Sequence, residues 1–361
     1  ECSEGETREA GRSKRHQNRV HAQTGPKSQQ LRSQSPHSSD QTRPLGIPTV
    51  RDRVVQTALR NVIEPIFDST FAEQSYGFRP NRGCKDALRR VDQLVKQGYR
   101  FVVDADLKRY FDTIPHERLL ELIARKISDR RVLQLIELFL KQGVMEAMNR
   151  WEPTAGTPQG GVISPLLSNI YLDPLDHHMA ALGFEMVRYA DDFVILCRTR
   201  EDAERALTEV QKWVAENGLT LHPEKTHIAD TEGDGFEFLG YLIKREHRWP
   251  RKKSLQKLKD TIRQKTCRTH GRSMSAMIAD VNQTLRGWFE YFQHSHPWVF
   301  GSLDGWIRMR LRSILRRRAG RTGRGRGRDH QRYRNAYFRA AGLMFLHDAW
   351  LHIVNPPGGN P

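Results

Sequence analysis

Apolar residues recur every three or four positions along most of this chain and alternate with polar ones in only a few short stretches. Val54, Val55, Ala58, Leu59, Val62, Ile63 and Ile66 form a stripe that predicts a helix over 51–67, bent near its end by Pro65. Ala87, Leu88, Val91, Leu94 and Val95 predict another over 86–96. Further amphipathic helices are predicted over 116–126, 130–140, 164–178 and 201–216. Strands are predicted at 101–107, 219–221 and 236–243, with turns at 81–83, 158–161 and 217–218. Helices and strands therefore alternate in an α+β layer. Beyond Lys253 the pattern is helical only: Leu255, Leu258 and Ile262, then Ala276, Met277, Ala279, Val281 and Leu285, then a basic third helix over 306–318. Residues 1–42 are Ser-, Gln-, Arg- and Gly-rich, lack apolar periodicity and read as disordered. Residues 321–328 read as a flexible linker, and 333–350 hold enough apolar residues to pack as a helix.

Two apolar runs, Phe184, Met186 and Val187 before and Phe193 to Leu196 after, flank Tyr189-Ala190-Asp191-Asp192 and read as a hairpin. Two carboxylates at its tip repel and raise each other's pKa, unless a divalent cation sits between them. Upstream, 101–107 alternates with period two. Val103, Ala105 and Leu107 share one face, and Val102, Asp104 and Asp106 the other. The sharper expectation is that Asp106 comes beside the hairpin tip and completes a three-carboxylate metal site. The blander one is an edge strand with solvated acids.

Asp106-Leu107-Lys108-Arg109-Tyr110-Phe111-Asp112, then Gly156-Thr157-Pro158-Gln159-Gly160-Gly161, then Tyr189-Ala190-Asp191-Asp192 occur in that order. They resemble consecutive palm motifs of reverse transcriptases. Arg43-Pro44-Leu45-Gly46-Ile47-Pro48, Gln74-Ser75-Tyr76-Gly77-Phe78-Arg79-Pro80 and Gly287-Trp288-Phe289-Glu290-Tyr291-Phe292 narrow this, being similar to bacterial group II intron-encoded proteins, which join a reverse transcriptase to an RNA-splicing maturase. The resemblance covers roughly 43–320. It implies a right-hand polymerase, with fingers and palm over 43–250, a three-helix thumb or maturase region over 251–320, and a basic linker and tail over 321–361. It also implies that Asp106, Asp191 and Asp192 hold two Mg²⁺, one at the primer 3′-hydroxyl and one at the triphosphate. Asp104 is the fourth acid nearby and reads as structural. By the same resemblance Arg43, Phe111, Gln159 and Lys225 contact the dNTP, with Phe111 under the incoming sugar. Phe238, Leu239 and Gly240 form the primer grip. Arg286, Arg312, Arg316, Arg317 and Arg318 contact intron RNA.

A net charge of +17 points to a polyanionic partner. The charge is concentrated: residues 301–340 carry 13 Arg, no Lys and two acids, interspersed with Trp306, Tyr333, Tyr337 and Phe338. No apolar run approaches the roughly 18–20 residues of a membrane span, so no membrane association is expected. Four separated cysteines offer neither a zinc site nor a disulfide framework. The expectation is a bacterial cytoplasmic ribonucleoprotein component whose partners are intron RNA, RNA template, DNA primer and dNTPs; a homodimer is left open. Residues 33–40 lack the finger motif that the resemblance places before Arg43, which reads as a lost or frameshifted N-terminus. No Cys/His cluster of a C-terminal HNH nuclease follows the thumb. The competing reading is an RNA-binding maturase without polymerase activity. Asp106 and the Asp191–Asp192 pair argue against it, because a pure RNA binder has no use for clustered carboxylates near a polyanion.

Overall fold

The computed structural model describes residues 29–33, 44–141, 144–146, 149–151, 155–158, 160–269, 271–325 and 327–355. An α+β part is followed by an all-helical part, in the order the sequence predicts.

The central four-stranded sheet runs Glu185–Tyr189, Asp192–Cys197, Phe101–Asp106, His227–Asp230, all antiparallel. Its period-two alternation sorts side chains onto two faces. Val103, Ala105, Phe193 and Ile195 enter one core with helices Ser164–Ala181 and Arg200–Glu216. Val102, Val194 and Leu196 enter a second core with helix Cys84–Lys96 and strands Phe236–Phe238 and Tyr241–Lys244. A separate core joins helices Lys252–Lys265, Met274–Phe292 and Trp298–Arg318.

Four sequence expectations need correction. The 219–221 strand is reduced to one bridge, Leu107 to Leu221, and the sheet's fourth strand is His227–Asp230 instead. The single strand over 236–243 is two, reversed at Leu239 and Gly240, which both take positive φ, and a third strand, His247–Pro250, follows. The segment over 1–42 is not wholly outside the fold: Gln29–Ser33 pairs antiparallel with Pro44–Ile47 and parallel with Val144–Glu146, held by backbone ladders that leave no side-chain signature. Within the expected tail over 321–361, the described helices from 328 to 354 are part of the thumb. Helices Arg328–Arg332, Asn335–Ala340 and Leu346–Val354 follow one another, and Phe338, Leu343, Phe345 and Leu346 are buried in the thumb core.

Helix Val50–Asp68 exists as predicted but turns a different face inward. Asp52, Gln56, Leu59, Ile63 and Phe67 are buried, while Val54 and Val62 are 65% and 68% exposed. Polar groups take the core side because each finds a partner there. Thr49 Oγ1 donates to Asp52 Oδ2 at 2.7 Å, and Gln56 Oε1 accepts from Val162 N at 2.7 Å. Among the described residues no helix is long and apolar enough to cross a membrane.

Candidate active site and nucleic-acid surfaces

Strand register brings the acids together. Asp106 and Asp192 are direct cross-strand partners, and Tyr189 pairs with Asp192 across the two-residue turn Ala190-Asp191. Directly opposed side chains share a face, so Asp106 and Asp192 project together, with Asp104 two positions along. Burial, followed by the Asp104, Asp191 and Asp106 carboxylates, pushes Asp192 up to about 7, and Arg251 opposes the shift. Burial likewise lifts Asp104 to about 6, opposed by His227 and reinforced by Asp106. The cluster is thus an electrostatic hot spot that a cation would relieve. Lys225 answers part of it, its Nζ ion-paired with Asp106 Oδ2.

Among the described residues no three His, Cys, Asp or Glu side chains form a ready-made metal cage. The donor set is nonetheless all hard oxygen. Mg²⁺ is ordinarily held by one or two carboxylates plus waters and substrate phosphates rather than an all-protein cage, so Asp106, Asp191 and Asp192 fit that ion in chemistry.

The turn that carries Asp191 is held from behind by residues that periodicity does not single out. Arg188 is fully buried. It donates to Asp176 at 2.8 Å, Asn169 Oδ1 at 3.0 Å, Ser75 Oγ at 2.8 Å and the Ala190 carbonyl at 2.8 Å. Asn169 Nδ2 in turn donates to Gly77 O at 2.8 Å. Gly77 lies so close that a Cβ there would stand 2.3 Å from Ala190 N. Arg188 and the 74–76 segment also exchange backbone bonds: Tyr76 N donates to Arg188 O and Arg188 N to Gln74 O. The only sequence signal for this is a charged residue inside an apolar strand.

Phe111 lies in the short helix Tyr110–Thr113, its ring 5.5 Å from that of Tyr110 and packed against the main core. The loop ahead of Gln159 is clamped beside it. Thr157 N donates to Phe111 O at 2.6 Å, and Gly156, at φ +92°, comes so close that a Cβ would meet Phe111 O at 2.7 Å. Gln159 and Arg43 lie outside the described residues.

Phe238 is buried, whereas Leu239 and Gly240 form the less buried reversal of a hairpin bound to the thumb. Tyr291 Oη donates to Leu239 O at 2.7 Å, and Arg251 N donates to Gly240 O at 3.0 Å. Arg251, which no sequence pattern singles out, thus holds this turn through its backbone while its charge favours the ionised Asp192.

The arginines expected at RNA divide. Arg286, Arg317 and Arg318 are exposed on thumb helices. Arg312 is corrected: it is buried under the Phe338 ring, and its Nε donates to Tyr333 O at 2.9 Å, so its guanidinium holds the thumb together rather than facing solvent. Arg316 is half-buried and committed to Asp329 at 2.6 Å and Thr322 O at 2.6 Å. Sequence spacing does not separate these from their exposed neighbours, because all sit in one basic run.

Residues 26–243 match a family model described as reverse transcriptase (RNA-dependent DNA polymerase), and residues 255–334 match one described as group II intron, maturase-specific domain. Protein YkfC of Escherichia coli (strain K12) is 34% identical over 288 residues, covering 68% of this chain and 74% of that one. The group II intron-encoded protein LtrA of Lactococcus lactis subsp. cremoris is 43% identical over 151 residues, 42% of this chain but only 25% of LtrA. The chain therefore aligns with a quarter of LtrA. Among solved structures, a telomerase from Candida albicans superposes with a TM-score of 0.50 over 81% of this chain and 59% of that one, at 10% identity, which speaks to the fold alone.

Proposed function

This chain belongs to the group II intron-encoded reverse transcriptases that carry a maturase domain, and on that premise we propose that it is an RNA-directed DNA polymerase that also binds its host intron RNA to assist splicing and mobility. The observation that carries the reading is the register that sets Asp106 opposite Asp192, with Asp191 in the adjoining turn. Asp106, Asp191 and Asp192 are the residues to hold two Mg²⁺. Bound there, the ions would neutralise the triphosphate and make the primer 3′-hydroxyl a better nucleophile.

The protein's own part is positioning. Phe111 forms the floor under the incoming sugar, its backbone fixed by Gly156 and Thr157, and disfavours a 2′-hydroxyl. Arg43, Gln159 and Lys225 contact the dNTP, Lys225 after exchanging Asp106 for phosphate. The Leu239-Gly240 turn bears on the primer end, its geometry set by Tyr291 and Arg251. In the thumb, the exposed Arg286, Arg317 and Arg318 meet intron RNA through phosphate contacts. The proposed setting is a ribonucleoprotein in the bacterial cytoplasm.

Extension of a DNA primer on an RNA template with the four dNTPs and Mg²⁺ tests the reading. Product that is lost without Mg²⁺ supports it. A folded protein that binds intron RNA but makes no product would sink the polymerase half and favour a catalytically inactive maturase.

A further inference from the structure

Helix Cys84–Lys96, strand His247–Pro250 and the loop before helix Trp298–Arg318 line an open cavity of about 560 Å³, with Tyr241 and Tyr291 in its wall. A second cavity of about 550 Å³ adjoins it, and both are lined by Pro297 and Trp350. Each lies within the roughly 300–1,000 Å³ typical of small-ligand sites. Beside the two cavities lies a run of rings in contact. His296 stacks on Trp249 at 4.4 Å and 20°, meets His247 edge-on at 5.1 Å and meets Trp298 edge-on at 5.7 Å. Trp298 is 78% exposed and takes no part in the thumb core. A core-packing explanation therefore fails for it. Trp350, half-buried against the thumb core, lines the second cavity with Trp298, and His347 stands beside it at 6.0 Å. Arg248 and Asp92 neutralise each other in the lining, which also holds Lys85, Glu246 and Arg89, the last ion-paired with Asp86 at 2.7 Å.

From this arrangement we infer that the palm–thumb junction carries a second nucleic-acid site that takes unpaired nucleotides of an RNA strand. The exposed ring of Trp298, with the half-exposed Trp350 beside it, can stack on bases whose own faces are free, which a duplex does not offer. The exposed Lys85, and Arg89 on exchanging Asp86 for phosphate, supply phosphate contacts, and the chain's net charge of +17 draws the strand in. The occupant is neither the primer–template at the carboxylates nor RNA held by the outer thumb arginines.

The test is fluorescence anisotropy of a labelled oligo(A) 12-mer and a labelled hairpin duplex with the full chain, and with Trp298→Ala, Trp298→Phe and Trp350→Ala. Trp298→Ala should weaken oligo(A) binding about tenfold, the loss of one stacked base, with Trp298→Phe recovering most of it and hairpin affinity unchanged. Unaltered oligo(A) binding in both alanine variants would overturn the inference. So would an equal loss on the hairpin, or displacement of oligo(A) by AMP at matched nucleotide concentration, which would assign the cavity to free nucleotides. A fall in oligomer size by light scattering without RNA would give the rings to a second copy of the chain and overturn it too. Binding rather than extension is read, so the outcome does not depend on the polymerase assay.

Discussion

Arg188 in the palm and Arg312 in the thumb are both arginines withdrawn from water, and they are satisfied differently. Arg188 meets a carboxylate, Asp176, and directs its remaining donors to Asn169, Ser75 and the Ala190 carbonyl beside the acidic turn. Arg312 donates to Tyr333 O and to Asn335 Oδ1 and lies over the Phe338 ring. The palm thus uses a buried ion pair to fix the backbone of the acidic turn. The thumb uses carbonyls and rings to fasten its own C-terminal helices, leaving other arginines on its surface. One region commits charge to geometry; the other keeps charge for a partner.

The sharpest way to break this contrast is Arg188→Ala. It leaves Asp176 buried and unpaired, a change that costs about 3–5 kcal/mol. Urea denaturation should show that loss; a cost under about 1 kcal/mol would mean that the pair does not hold the turn. Gly77→Ala comes next. A Cβ 2.3 Å from Ala190 N must push the hairpin tip, and a displacement near 1 Å can lower turnover about 100-fold. Primer extension should drop by that order while RNA affinity stays put. Equal activity would show that the tip tolerates the shift.

Some of this is legible in the sequence and some is not, and the division has a physical basis. The helix over 86–96, the hairpin and the shared face of Asp104 and Asp106 follow from periodicity, since one face of each element is apolar. Periodicity leaves open whether Asp106 meets the tip; the motif resemblance favours it, and the register shows the pairing. The inward face of helix Val50–Asp68 is missed because Asp52 and Gln56 are buried against Thr49 and the Val162 backbone, and periodicity counts them as outward. Arg188 escapes for the same reason. The break at Leu239-Gly240 needs positive φ at two residues, one of them a leucine. The integration of 328–354 into the thumb depends on contacts such as Asn282 Nδ2 donating to Gly342 O at 2.7 Å, far apart in sequence.

A smaller effect concerns protons. Asp192 titrates near 7 in the folded chain, well above the ordinary value near 3.9. A raised carboxylate favours the folded state while protonated, and that contribution fades as pH climbs from about 4 through 7. Mg²⁺ held by the proposed carboxylates would compete with the proton and offset the loss. Thermal melts should therefore show a larger Mg²⁺-induced rise in Tm at pH 8 than at pH 6. An equal rise at both would place the ion elsewhere.

The smallest effect belongs to the thumb surface. Arg317→Ala with Arg318→Ala should weaken intron-RNA binding uniformly across sequences and lower the salt slope by about 1 for each phosphate no longer neutralised. Stability should stay within about 0.5 kcal/mol of the parent. A large stability loss would put these arginines in the same structural class as Arg312.

The central claim is that chemistry resides in the Asp106–Asp192 register and RNA holding resides elsewhere. Single-turnover primer extension at saturating RNA, by the parent chain and by Asp192→Asn, tests it most directly. The account expects extension to fall at least about 1,000-fold, the scale of one key electrostatic group, with the RNA Kd unchanged. Retained extension, or a loss explained entirely by weaker RNA binding, would contradict it.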